Sequence, residues 1–192
     1  MTTGVYASSI ERMLFSQAEI AAAIDGLASS IASDYRGQPL LVLGVLKGAL
    51  YVTADLVRAI SRLPGGPSLQ LDFLVVSSYG NANRSSGEVR LLKDTGVTVS
   101  GKNVLIVEDI VDNGLTLQYL QSLLIGRSPA TLRSCVLFDK PYNRQVDVPI
   151  DYVGLLAPDE FVVGYGLDYG ESYRNLPYLA QLRPTVFQNK VM

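Results

Sequence analysis

Between Val104 and Thr116 the chain reads VLIVEDIVDNGLT, an order of residues that few folds accommodate. Val104 to Val107 is an apolar, mostly β-branched run of the kind that forms a strand buried on both faces. Two adjacent carboxylates, Glu108 and Asp109, close the run. Asp112 follows, then Asn113-Gly114, then Leu115 and Thr116, where a helical pattern opens. A strand-to-helix turn directs backbone N–H groups and a helix N-terminus at a point where an anion can sit. Three carboxylates beside such a point need a cation or a polyhydroxyl ligand to join them. The segment therefore points to a ligand carrying phosphate, sugar hydroxyls and a metal. A plain turn with solvated acids would leave the repulsion between Glu108 and Asp109 without an offset, and Asp, Asn, Gly and Thr together suit an anion nest.

The flanking sequence supplies the frame. Residues 16–36 read as a helix, with Ser16 and Glu19 as a capping box and Phe15 with Ile20 as a hydrophobic staple. Ile20, Ile24, Leu27 and Ile31 lie on one helical face, and Gly37 and Pro39 end it. Leu40 to Leu46 reads as a buried strand interrupted by Lys47-Gly48, and Ala49 to Ile60 as a helix. Leu69 to Val76 is a second strand, Ser77 to Gly87 a mobile loop, and Val89 to Leu92 a short strand. Thr116 to Leu124 is the helix after the Val104–Glu108 strand, and Leu132 to Phe138 and Tyr152 to Leu156 are two more strands. Strands alternating with helices predict an α/β fold with a mainly parallel central sheet flanked by helices. Ligands of such sheets bind outside the carboxyl ends of the strands. Lys47, Ser78, Glu108 and Lys140 all stand at or just after predicted strand ends, hence on one rim.

Composition narrows the chemistry. The 192 residues suit one domain with a full core, and 48% hydrophobic with 18% charged content is that of a folded chain. A net charge of −2 gives no electrostatic footprint for nucleic acid. There is no histidine, which removes Ser-His-Asp and Cys-His catalysis and His-ligated zinc. A general base must then be a carboxylate, Lys, Tyr or a ligand group, and any metal is hard and oxygen-bound, Mg²⁺ first. The single cysteine, Cys135, stands in an apolar run and reads as a buried inert thiol. No apolar stretch is long enough to span a bilayer and no signal peptide is visible, so no membrane partner and a cytoplasmic setting are expected. Gly96 to Lys102 fits most of a nucleotide-triphosphate P-loop. However, Asn103 stands where Ser or Thr is required, and the segment leads into a strand instead of following one.

The Val104–Thr116 segment resembles the phosphoribosyl-pyrophosphate signature of the type I phosphoribosyltransferases: four apolar residues, two acids, then a phosphate loop. Other segments resemble the hypoxanthine-guanine branch of that family. Leu43-Gly44-Val45-Leu46-Lys47-Gly48 is similar to its pyrophosphate loop, and Ser77-Ser78-Tyr79-Gly80 to the start of its closing loop. Asp139-Lys140-Pro141, the run from Pro158 through Asp168 to Tyr169, and Tyr173-Arg174 are similar to its purine and pyrophosphate sites. The likeness runs in order from about Leu40 to Leu182. It implies one domain over 1–192, with a core at about 38–140 and a small hood from 141–192 plus part of the N-terminus. It also implies transfer of ribose 5-phosphate from phosphoribosyl pyrophosphate to N9 of hypoxanthine and/or guanine, releasing pyrophosphate.

The resemblance assigns roles residue by residue. Asn113, Gly114, Leu115 and Thr116 hold the 5-phosphate. Glu108 and Asp109 take the ribose hydroxyls, directly or through Mg²⁺-bound water, and Asp168 helps hold a second Mg²⁺. Lys47, Gly48 and Arg174 bind pyrophosphate, with a non-proline cis peptide at Leu46–Lys47. Lys140 donates to purine O6, Asp112 takes the N7 proton, Phe161 stacks on the purine, and Val162 reads its edge, with Ile110 and Asp168 also at the purine. Ser78 and Tyr79 sit on a lid. Asn113 departs from the Thr or Ser usual at its position, and Leu115 from a residue that is sometimes Lys. A homodimer or homotetramer is implied by the family alone. Two alternatives stay open: a xanthine-using relative, since nothing here says how purine C2 is read, and a regulator of this fold that binds phosphoribosyl pyrophosphate.

Overall fold

The computed structural model describes residues 5–79 and 88–187. In chain order the elements are β1 (Ile10–Phe15), α1 (Gln17–Asp34), β2 (Pro39–Leu46), α2 (Leu50–Ser61), β3 (Ser68–Tyr79), β4 (Glu88–Lys93), β5 (Asn103–Val111), α3 (Leu115–Ile125), β6 (Thr131–Asp139), a 3-10 turn (Pro141–Asn143), β7 (Tyr152–Leu156), β8 (Val162–Val163), β9 (Leu179–Leu182) and α4 (Pro184–Phe187). Six strands form the main sheet in the order β4-β3-β2-β5-β6-β7. All neighbours are parallel except β4, which runs antiparallel to β3 at one edge.

Strand alternation sorts the apolar runs onto two faces. Leu40 and Val42 of β2, with Leu105 and Val107 of β5, join the core under α1 and α2. Leu41, Leu43, Val104 and Ile106 join the core under α3. Period-2 geometry makes this division unavoidable for an extended chain. The chain leaves β2 toward β3 on one side, and β5 then fills the other side of β2. This reversal opens a crevice beyond the carboxyl ends of β2 and β5, where ligands of such sheets bind.

The predicted helix starts as read. Ser16 Oγ accepts from Glu19 N at 3.3 Å, and the Glu19 carboxylate accepts from Ser16 N at 2.8 Å. Other boundaries differ. Ser77, Ser78 and Tyr79 are strand, not loop, because their backbones pair with Arg90, Val89 and Glu88 of β4. The remainder of the predicted lid loop, 80–87, lies outside the described residues. The β5 strand continues through both acids to Val111, held by pairing with β6 as far as Asp139.

A second sheet, in the order β1-β9-β8, joins the N-terminal segment to the C-terminal one. Between β8 and β9 the chain turns back across the rim. Gly164, Tyr165 and Gly166 have φ of 103°, 47° and 103°, and the Tyr165 hydroxyl donates to Asp55 Oδ2 of α2 at 2.5 Å. Gly166 rests directly on the chain after β2, where a Cβ would lie 2.0 Å from the Gly48 carbonyl oxygen. Gly166→Ala is expected to cost about 3 kcal/mol or more, from backbone strain and from collision with main chain that cannot yield. Gly170→Ala, at φ 60° with open space around it, should cost only about 1 kcal/mol. Urea unfolding of both variants measures the difference. Equal small losses would mean that the Gly166–Gly48 contact is not a fixed feature of the fold.

Candidate active site

The turn after β5 forms the first wall of the crevice. Gly114 takes φ 86° and N-caps α3. Asn113 Oδ1 accepts from Leu115 N at 3.0 Å, so the asparagine side chain satisfies one of the donors at the helix start. Glu108, Ile110, Asp112, Asn113 and Thr116 line a cavity of about 140 Å³ above this turn. Two buried carboxyl oxygens there, Glu108 Oε1 and Asp112 Oδ1, have no hydrogen-bond partner among the described residues.

The second wall is the chain after β2. The Leu46–Lys47 peptide is cis. Gly48 packs so closely on the end of β5 that a Cβ would lie 1.8 Å from Asp109 Oδ2. Glycine is therefore obligatory here for space. Arg174 reaches the same place from the C-terminal segment. Its Nη1 donates to Gly166 O at 2.7 Å and its Nη2 pairs with Asp168 Oδ1 at 2.6 Å, while its buried Nε has no partner among the described residues. Glu171 joins the cations, at 2.9 Å from Lys47 Nζ and 3.4 Å from Arg174 Nη2, and its N–H donates to Asp168 Oδ2 at 2.9 Å.

The third wall carries Lys140, only 12% exposed, just after β6. Its ammonium lies 3.8 Å from Asp112 Oδ2 and 3.5 Å from Asp159 Oδ1. Phe161, 39% exposed, stacks on Phe187 of α4 with ring centroids 4.7 Å apart and meets Tyr169 edge-on at 5.6 Å. Val162 is buried and pairs with Gln181 of β9.

Glu108 and Asp109 are neighbours in sequence but not in environment. Asp109 faces Gly48 on the side of α2, whereas Glu108 lines the cavity at the start of α3. Burial pushes the Glu108 carboxyl well above its usual range, and the Asp109 charge adds to the effect. Burial likewise lifts Asp109 to about 6; hydrogen bonds from backbone N–H groups and the Arg174 charge oppose the rise, and Asp168 adds to it. Among the described residues no three acids converge into a set that could hold a metal unaided.

The crevice thus gathers Lys47, Gly48, Asp109, Asp168 and Arg174 on one side. Glu108, Ile110, Asp112, Asn113, Gly114, Thr116 and Lys140 are on the other. Leu115 begins α3, and Ser78 and Tyr79 end β3. Sequence reasoning gave no individual role to Arg144, Asp159, Gly166, Glu171 or Phe187. Asp159 and Gly166 lie within the Pro158–Tyr169 run that carries the resemblance. Arg144, Glu171 and Phe187 stand outside every such segment.

Comparison with known proteins places the chain in a family. The profile of the phosphoribosyl transferase domain family matches residues 12–170. The chain is 46% identical over 180 residues to a Bacillus subtilis hypoxanthine-guanine phosphoribosyltransferase, covering 94% of this chain and 97% of that one. It is 46% identical over 193 residues to the Mycobacterium tuberculosis protein of that name, covering 97% and 93%. Among solved structures, a Staphylococcus aureus hypoxanthine phosphoribosyltransferase superposes with a TM-score of 0.89 at 40% identity, covering 97% of this chain and 99% of that one.

Asp109 carries a stability consequence. Its carboxyl titrates at about 6 in the fold against 3.8 unfolded, so the folded state favours the protonated form. The penalty is absent below the unfolded value, grows as pH rises through the folded one, and is complete above it. Asp109→Asn should therefore stabilise the protein at about pH 7.5 by on the order of 2–3 kcal/mol and leave it unchanged near pH 4. Urea titrations at the two pH values test this; a gain of equal size at both would remove burial of the charge as its cause.

Proposed function

The chain belongs to the phosphoribosyltransferase family, and from that premise we propose that it moves ribose 5-phosphate from phosphoribosyl pyrophosphate to N9 of hypoxanthine and/or guanine. The products are the purine nucleotide and pyrophosphate, a purine-salvage reaction. One observation carries the reading beyond family membership. A partly buried lysine and a carboxylate with a free buried oxygen, Lys140 and Asp112, meet beside the turn that caps α3.

The chemistry follows from these positions. The N–H groups at the start of α3 and the Thr116 hydroxyl hold the 5-phosphate. Lys140 donates to O6 of the purine, which favours a 6-oxo group over the amine of adenine. Phe161 offers a ring face for stacking, and the Val162 backbone and Ile110 complete the base site. Purine N9 attacks C1 while Asp112 Oδ1 takes the proton from N7, and the C1–O electron pair leaves with pyrophosphate. Lys47, the Gly48 backbone and Arg174 receive that leaving group, Arg174 through a fork that suits phosphate oxygens. Glu108, whose Oε1 is buried and unpartnered, and Asp109 serve the ribose hydroxyls.

The donor set for a cation is all oxygen. Mg²⁺, which keeps several waters and needs only one or two carboxylates beside substrate oxygens, fits it. Asp168 would help hold one such ion on the pyrophosphate side, Glu108 and Asp109 would reach another through its waters at the ribose hydroxyls, and the charge of the ions would neutralise that of the departing oxygens. Using Asp168 in this way requires it to give up part of its pairing with Arg174. The terminal segments supply a hood over the crevice, Ser78 and Tyr79 belong to the lid, and the working form is a homodimer or homotetramer of the cytoplasm. No described helix is long and apolar enough to cross a membrane.

Product formation with phosphoribosyl pyrophosphate, Mg²⁺ and each of hypoxanthine, guanine, xanthine and adenine tests the reading. Turnover of hypoxanthine or guanine is the expected result. Binding of phosphoribosyl pyrophosphate with no turnover of any base would point to a regulator instead. Asp112→Asn should lower turnover by ~10²–10⁴ with binding of phosphoribosyl pyrophosphate largely kept; turnover near wild type would take the proton transfer away from Asp112.

A further inference from the structure

Behind the turn that caps α3 lies a strap, residues 144–148, to which sequence reasoning gave no role. Arg144 Nε donates to the Asp112 carbonyl at 2.9 Å, and its Nη2 donates to the Val111 carbonyl at 3.3 Å. The next residue, Gln145, donates its N–H to the Asn113 carbonyl at 2.9 Å. Three successive carbonyls of the turn are thus held on one side. In a trans peptide the N–H points opposite to its C=O. Pinning these three carbonyls backward therefore turns the N–H groups of Asp112, Asn113 and Gly114 forward, as an anion nest requires. The strap also presses on Gly114. A Cβ there would lie 3.0 Å from Arg144 Cδ and 3.1 Å from both Val146 and Val148 side chains.

The same guanidinium has a second anchor. Arg144 Nη2 pairs with Asp139, and both side chains are only one-fifth exposed. Asp139 immediately precedes Lys140, whose own N–H donates to the Val111 carbonyl at 2.9 Å. One planar group therefore ties the carbonyls beside Asp112 to the strand end that carries Lys140. Lysine, with a single charged point, cannot span that set of acceptors at fixed angles.

We propose that Arg144 is the positioning residue of this site, setting the forward aim of the phosphate-binding N–H groups without touching substrate itself. This rests on the function proposed above. The test uses the full chain with three variants, Arg144→Ala, Arg144→Lys and Asp139→Asn. Steady-state kinetics are measured alongside binding of inosine and inosine 5′-monophosphate. Arg144→Ala should weaken the monophosphate and raise KM for phosphoribosyl pyrophosphate by ~10–100-fold, a loss typical of about 1 Å of misplacement, and leave inosine affinity within about twofold. Arg144→Lys should restore the thermal midpoint, because charge against Asp139 is kept, and should not restore that KM. Asp139→Asn should give a smaller loss of the same selectivity.

Equal loss of inosine and monophosphate affinity in Arg144→Ala, or wild-type kinetics in Arg144→Lys, would overturn the proposal. If Arg144→Ala does not fold, the Arg144→Lys kinetics decide alone. A wild-type protein that binds the monophosphate no better than inosine would instead remove the phosphate site itself, an outcome separate from failure of Arg144.

Discussion

The absence of a side chain at Gly48 is the constraint on which the crevice depends. Its Cα rests on the Asp109 carboxylate and its carbonyl oxygen on Gly166, and a methyl group on either glycine would strike the other surface. Three distant segments meet there: the exit of β2, the acidic end of β5 and the turn between β8 and β9. Lys47 and Arg174 meet beside this contact at the same carboxylate, Glu171. The contact also strips Asp109 of water, and that burial lifts its carboxyl to about 6. Position and electrostatics at this wall have one cause, close packing of main chain.

Much of the fold was legible because it is written in local periods. The continuous apolar runs of β2 and β5 announced strands covered on both faces, and the Ser16–Glu19 pair announced the start of α1. The polar stretch Ser77–Tyr79 misled because its strand character comes from pairing with β4, not from its own composition. The small sheet was missed for the same reason. Ile10–Phe15 gains its partner from Leu179–Leu182, more than 160 residues away, and no window contains both.

The candidate site divides in the same way. Glu108, Asp109 and Asp112 stood out because they interrupt an apolar pattern. The opposite facing of Glu108 and Asp109 was implicit in strand alternation, although their adjacency suggested a pair acting on one side. Arg144 and Glu171 had no such signal. Each is an ordinary charged residue in a loop until the fold brings it against carbonyls of the β5 turn or against Lys47 and Arg174.

Glu171 changes how the cationic wall meets a ligand. Its carboxylate, in a side chain that is 64% exposed, already pairs with Lys47 and lies within ion-pair distance of Arg174. A polyanion reaching these cations therefore enters by exchange, displacing a tethered carboxylate instead of meeting bare charge. The displaced group remains on the same short turn and can return as soon as a product loosens. An exchange of this kind tempers affinity for any anion while shortening its residence, much as a resin releases its load to a competing ion.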